Sequence, residues 1–141
     1  MQIQPYLFFD GRCEEALNFY RSALGAKVTT LMRFKDAPAN ASAPGCTPPP
    51  GDKIMHANLQ IGEVQIMASD GVAPGEGAFK GFALSLSPAT DVEAERLFKA
   101  LTEGGSVQMP FGGTFFASSF GMMTDRFGVP WMVIVPLPEK A

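Results

Sequence analysis

Apolar and polar positions alternate in blocks along the chain. Residues 3–9 are mostly apolar and rich in aromatic rings, the profile of a strand with at least one buried face, and Asp10-Gly11 breaks the run. Cys13, Ala16, Leu17, Tyr20 and Leu24 then recur at helical spacing. Glu14 and Glu15 lie in the first turn, where the helix dipole favours negative charge, and Gly25 is placed to end the helix. Residues 28–34 read as a second strand, and residues 54–61 and 64–68 as a hairpin turning at Gly62-Glu63. Further on, 82–86 reads as a strand, and Thr90 or Asp91 caps a helix over 92–101 that Gly104-Gly105 closes. Residues 107–109 and 118–124 are weaker strands, and 131–135 is the strongest strand of the second half. Two loops interrupt the series, 69–77 and 36–52. The longer one holds Pro38, Pro44, Pro48, Pro49 and Pro50, whose rings remove backbone donors and exclude both strand and helix.

The order strand, helix, three strands therefore occurs twice, over about 1–70 and 78–137. Direct comparison supports a duplication. Glu15-Ala16 lies 78 positions before Glu93-Ala94, and Phe19-Tyr20 lies the same distance before Leu97-Phe98. Gly62 and Gly128 occupy matching places in two related hairpins.

Composition narrows the possible partners. At 141 residues, 46% hydrophobic and 18% charged, the chain has the size of one soluble domain able to bury a core, so 1–141 is expected to be a single domain. A net charge of −3, without a basic run, argues against a nucleic-acid surface. No apolar stretch approaches the roughly 20 residues of a membrane helix, and no signal-peptide pattern opens the chain, so a cytoplasmic location is expected. Cys13 and Cys46 give neither a disulfide framework nor a metal spacing and read as free thiols. Cys13, beside Arg12 at a helix start, has an environment that can lower a thiol pKa, although Glu14 and Glu15 oppose the effect and simple packing is the expectation.

A tandem βαβββ unit of this length resembles the glyoxalase, bleomycin-resistance and extradiol dioxygenase proteins, the vicinal oxygen chelate superfamily. Within it, Pro5-Tyr6-Leu7-Phe8-Phe9, Glu14-Glu15-Ala16-Leu17-Asn18-Phe19-Tyr20, Met67-Ala68-Ser69-Asp70 and Asp125-Arg126-Phe127-Gly128-Val129-Pro130-Trp131 look like the PhnB-like branch, also labelled a demethylubiquinone methyltransferase domain. Phe116-Ala117 departs from the branch pattern, where tryptophan and glycine are expected. The resemblance implies an α+β fold of two βαβββ modules whose mixed sheets curl around a cavity, commonly as a homodimer. In enzymes of the superfamily a divalent metal is held there by His, Glu or Gln from the first and fourth strands of each module. Here the last strand offers no such ligand on either face, the fourth offers Gln65 and the first Gln4, so no catalytic metal and no cofactor are expected. The glycine pairs, Gly104-Gly105 and Gly112-Gly113, do not sit between a strand and a following helix, which argues against the methyltransferase label.

His56 is the sole histidine and the default general base if chemistry occurs; the alternative is a histidine hydrogen-bonded within the sheet or exposed on its outer face. Asn58 shares its face. Gln4, Tyr6 and Phe8 share one face of the first strand, with Phe8 expected to be ordinary core. Arg33 is a candidate anchor for an anionic substrate or a solvated charge. Gln65, Met67 and Trp131 complete the candidate ligand-binding set, with Trp131 a core or cavity-wall aromatic. Asp125 and Arg126 are expected to fix the second hairpin turn rather than act in catalysis. The leading expectation is a metal-free protein that binds a small organic molecule. The alternatives are a metal-independent isomerase, lyase or hydrolase using His56 as base, with Gln4 or Arg33 orienting the substrate, and an interaction module built on loop 36–52.

Overall fold

The computed structural model describes residues 1–36, 51–71 and 79–138. The chain divides into two compact units, Met1–Gly77 and Ala78–Ala141. In the first, β1 (Tyr6–Phe8), α1 (Cys13–Leu24), β2 (Lys27–Arg33), β3 (Ile54–Ile61) and β4 (Val64–Ser69) form a helix and a four-stranded mixed sheet in the order β1-β4-β3-β2. The second has β5 (Leu84–Leu86), α2 (Asp91–Thr102), β6 (Ser106–Gly112), β7 (Ala117–Thr124) and β8 (Pro130–Pro136), with sheet order β5-β8-β7-β6. Each unit is thus βαβββ, with its first strand parallel to its last. The fold is α+β.

Alternation explains how each sheet meets its helix. In the first unit Leu7, Ala57, Leu59, Ile66 and Ala68 are buried on one face, and α1 buries Cys13, Ala16, Leu17, Tyr20 and Ala23. In the second, Gly121, Met123, Trp131 and Val133 are buried on the helix side, and a Cβ at Gly121 would stand 2.6 Å from the Phe98 ring of α2. Gly25 ends α1 in the left-handed conformation, and Thr90 caps α2 by accepting from the Glu93 N–H at 3.2 Å.

Element bounds differ from expectation where apolar composition misleads. The first strand is three residues long, so Gln4 precedes it rather than sharing its pleat. β6 runs to Gly112, through Met109 and Pro110, because an edge strand can carry a proline on its unpaired side. Residues 37–50 of the proline-rich loop lie outside the described residues, as do Cys46 and 72–78. The flanks of the longer segment are tied together, Phe34 N–H to Lys53 C=O at 3.1 Å and Lys35 N–H to Gly51 C=O at 3.0 Å.

Asp125 organises the β7–β8 turn as its residue type suggested. One carboxylate oxygen accepts from Phe127 N–H at 2.9 Å and Val129 N–H at 3.0 Å, and the other accepts from the Trp131 indole at 2.8 Å. Arg126 donates to the Glu103 carbonyl through Nε at 3.2 Å and a terminal nitrogen at 3.1 Å, tying the turn to the end of α2. Asp125→Asn keeps the volume but sets an amide N–H against an N–H donor, so a loss of about 2 kcal/mol is expected. Urea unfolding followed by the fluorescence of Trp131, the single tryptophan, measures it, and an unchanged midpoint would show that the network contributes nothing.

Candidate functional site on the open face of the first sheet

The face of the first sheet opposite α1 gathers most of the candidate residues. The register sets Tyr6 beside Met67, Met67 beside Asn58, and Asn58 beside Thr30, one row across four strands. In the adjoining row Phe8 pairs with Ser69 and His56 with Met32. The Tyr6 hydroxyl reaches His56 Nδ1 at 2.9 Å, and the Tyr6 and Phe8 rings stack at 4.7 Å with 12° between planes. Both rings are 37% exposed, so Phe8 is not the core residue expected of it; its pleat places it with Tyr6, away from α1.

His56 and Asn58 are half-buried, and among the described residues neither His56 Nε2 nor the Asn58 side-chain amide has a hydrogen-bond partner. Among the described residues no buried side-chain N or O lacks a partner, so these groups meet solvent and their hydrogen-bonding capacity, beside a pair of stacked rings, is open to an incoming molecule. Burial pushes the Tyr6 phenol up from its ordinary pKa, with the Ser69 hydroxyl opposing, so the phenol keeps its proton across the neutral range.

The other candidates lie elsewhere. Gln65 is exposed, nearer the hairpin turn, and Gln4 precedes β1. Arg33 is already engaged: it pairs with Glu14 of α1 and donates to the Asp52 carbonyl at 2.6 Å, so its guanidinium ties α1 and the start of β3 to the end of β2 instead of standing ready for a substrate anion. Trp131 is 1% exposed and lies on the helix side of the second sheet, which removes it from any ligand-facing surface. Sequence reasoning did not place Ser69, Thr30 or Met32 on this face; only the strand order, which no local pattern encodes, brings them there.

Asp70, which closes the motif Met67-Ala68-Ser69-Asp70, has a structural role. It is buried and accepts from Gly11 N–H at 2.7 Å and Cys13 N–H at 3.0 Å through one oxygen, and from Ile54 N–H at 3.0 Å through the other. It therefore caps α1 across 57 residues, in place of Arg12, which supplies no side-chain cap. A small cleft of about 190 Å³ beside it is lined by Glu14, Glu15, Asn18, Asp52 and Lys53, whose ammonium donates to the Gly11 carbonyl at 2.9 Å. Cys13 is fully enclosed, and burial, then the charges of Asp70 and Glu14, push its thiol well above the ordinary range, opposite to the activation its position beside Arg12 would allow.

The family model described as 3-demethylubiquinone-9 3-methyltransferase matches residues 1–134. The chain belongs to that family. It is 38% identical over 140 residues to Protein YjdN of Escherichia coli (strain K12), covering 96% of this chain and 95% of that one. Protein PA1353 from Pseudomonas aeruginosa has a crystal structure that is similar at 49% identity and TM-score 0.83, covering 96% of this chain and 98% of that one. The PhnB protein from Bacillus cereus is similar at 26% identity and TM-score 0.77, covering 96% and 99%. A glyoxylase/bleomycin resistance protein/dioxygenase domain from Frankia sp. EAN1pec shares the fold at 15% identity, TM-score 0.67 and coverage of 96% and 95%. The fold is thus shared with that domain, and the similarity to the PhnB protein agrees with the PhnB-like branch.

The family description implies a methyl donor, and the shared fold a divalent metal. A metal of the kind the resemblance implies would be held from the first and last strands of each unit. Their open faces carry Tyr6 and Phe8, then Gln65, Met67 and Ser69 in the first unit, and Ser85, then Pro130, Met132 and Ile134 in the second. One amide with neither carboxylate nor imidazole does not fit a hard or borderline divalent cation. Among the described residues no three His, Cys, Asp or Glu side chains gather to hold a metal. For a methyl donor, a strand–glycine–helix turn would be needed. The β1–α1 turn has Gly11, but its N–H and that of Cys13 are occupied by Asp70, and Ser87-Pro88-Ala89-Thr90 before α2 lacks glycine. These turns do not fit such a cofactor. No helix among the described residues is long and apolar enough to cross a membrane.

Two outcomes are expected. In a Cys46→Ser background, the Cys13 thiol stays unmodified by a thiol reagent in native protein at pH 8 and reacts at once in denaturant; fast native labelling would contradict its enclosure. The hydrogen bond from Arg33 holds the Glu14 carboxyl below its ordinary range, so this pair stabilises the fold above the unfolded carboxyl pKa and ceases to do so as pH falls through the depressed native value. Its contribution is small because Glu14 is exposed. Arg33→Gln moves the Glu14 midpoint upward in a side-chain NMR titration, and an unmoved midpoint would refute the assignment.

Proposed function

We propose that this protein binds a small organic molecule on the open face of its first sheet, without a resident metal or methyl donor. The observation that carries the reading is the half-buried pair His56 and Asn58, with hydrogen-bonding groups unpaired among the described residues, next to the Tyr6–Phe8 ring stack. Enclosure of that face by curled sheets is part of the proposal. So are a cytoplasmic location and homodimer assembly; for the latter, β2 and β6 leave Leu31, Met32, Val107 and Met109 41–44% exposed.

One observation favours a second reading, an enzyme. A histidine base needs a group to orient it, and Tyr6 supplies one at 2.9 Å. The tautomer separates the two readings: only if Nδ1 carries the hydrogen is the Nε2 lone pair available as a base. Loop 36–52 as an interaction module falls outside the described residues from 37 to 50.

Screening aromatic fragments by protein-observed NMR is expected to shift amides of β1, β3 and β4. Phe8→Ala is expected to weaken the best fragment about five- to ten-fold, from the lost ring contact. Shifts confined to other elements would sink the assignment. Protein purified without chelator is expected to contain far less than one equivalent of zinc, nickel or iron by elemental analysis, and stoichiometric metal would overturn the metal-free reading. Once a turned-over substrate is found, His56→Ala that binds normally and loses turnover would favour the enzyme.

A further inference from the structure

The hydrogen bond between Tyr6 and His56 also determines what kind of molecule this face can receive. A phenol is a strong donor and a weak acceptor, whereas a neutral imidazole nitrogen is a strong acceptor. The Ser69 hydroxyl, the other group near the phenol, directs its own hydrogen to the Met55 carbonyl at 2.6 Å and accepts from Gly71 N–H at 2.8 Å. Ser69 thus has its hydrogen committed and one acceptor position filled, so the imidazole nitrogen is the stronger remaining acceptor for the Tyr6 hydrogen, an arrangement that puts the imidazole hydrogen on Nε2. Two positions away on the same face, the Asn58 amide adds N–H donors without a partner among the described residues.

The charge of the surroundings sets the second condition. β1, β3 and β4 contain no Asp, Glu, Lys or Arg at any position. At the edge of the sheet, the Arg33 guanidinium is held by Glu14. On β2 the register places Lys27 beside Gln60, four residues along β3 from His56, so an anion withdrawn from water at His56 would meet donors and, among the described residues of β1, β3 and β4, no neutralising cation, which is unfavourable.

We infer that His56 acts on this face as a hydrogen-bond donor through Nε2–H rather than as a base, and that the ligand is a neutral, planar conjugated carbonyl compound. Its oxygen accepts from His56 and Asn58, and its ring packs against Tyr6 and Phe8. The inference rests on the binding reading above and narrows it.

His56 is the single histidine, so a long-range ¹⁵N–¹H NMR spectrum of the intact protein reports one imidazole without overlap. At pH 8 the expected pattern is protonated Nε2 with unprotonated Nδ1. In Tyr6→Phe, native by Trp131 fluorescence, the two nitrogens are expected to move toward a mixture of tautomers. Acetophenone, ethylbenzene and benzoate then serve as probes of one skeleton with a neutral carbonyl, with none and with an anion. Acetophenone is expected to shift the His56 Nε2–H and Asn58 side-chain resonances and to bind at least five-fold more tightly than the other two, and Asn58→Leu to weaken it about five-fold. A hydrogen on Nδ1 overturns the inference and restores His56 as a base. Equal binding of acetophenone and ethylbenzene, or tighter binding of benzoate, overturns the ligand class while leaving small-molecule binding intact. Absence of binding by all three, with Nε2 protonated, overturns the binding reading and the ligand class together while leaving the donor assignment standing.

Discussion

The first unit depends on one buried carboxylate. Asp70 follows β4 directly, yet its side chain accepts from the turn that opens α1 and from the first residue of β3, while its backbone N–H donates to Ile54 C=O at 2.8 Å. Helix start, strand start and strand end are thereby pinned at one point, with Phe9 N–H bonded to Ser69 C=O at 2.9 Å alongside. That fixes β1 against β4 in the register that puts Tyr6 next to Met67, two strands from His56. Three N–H groups that would otherwise be buried without partners are satisfied together, and the same arrangement keeps the helix N-terminus closed to outside anions.

The second unit solves a similar problem at a different place. Its buried carboxylate, Asp125, belongs to the β7–β8 turn and serves two backbone N–H groups and the Trp131 indole. The two units therefore share an architecture and not the position of the polar network. Their open faces differ too. Where the first sheet has Tyr6, Met67 and Asn58 in a row, the second has Ser85, Met132 and Met122, with Ile134 beside Phe120 in the next. One sheet keeps hydrogen-bonding groups with aromatic rings, and the other is dominated by soft apolar side chains.

Much of this was legible in the chain because local physics determines it. The spacing of Cys13, Ala16, Leu17 and Tyr20 predicts the helix face that is buried, Gly25 its left-handed end, and Thr90 the cap of α2. Gly62 and Gly128 do adopt positive φ at the two hairpins. Residues brought together over long sequence distances were harder to read. Tyr6 and His56 are 50 residues apart and meet only because a parallel β1 joins the far edge of a hairpin. Parity divides β8 into two sets without saying which meets the helix, so sequence alone does not separate a ligand-facing Trp131 from one whose indole is bonded to Asp125. Arg33 looked free because its partner, Glu14, had already been explained by the helix dipole.

The two hydrogen bonds that join Phe34 to Lys53 and Lys35 to Gly51 have a consequence beyond the sheet they border. They close the base on which residues 37–50 are carried, and the entropy cost of closing a loop on such a stem grows only slowly with loop length. For protein engineering, the paired flanks at 34–35 and 51–53 are a stem on which an inserted loop would find its ends already held together.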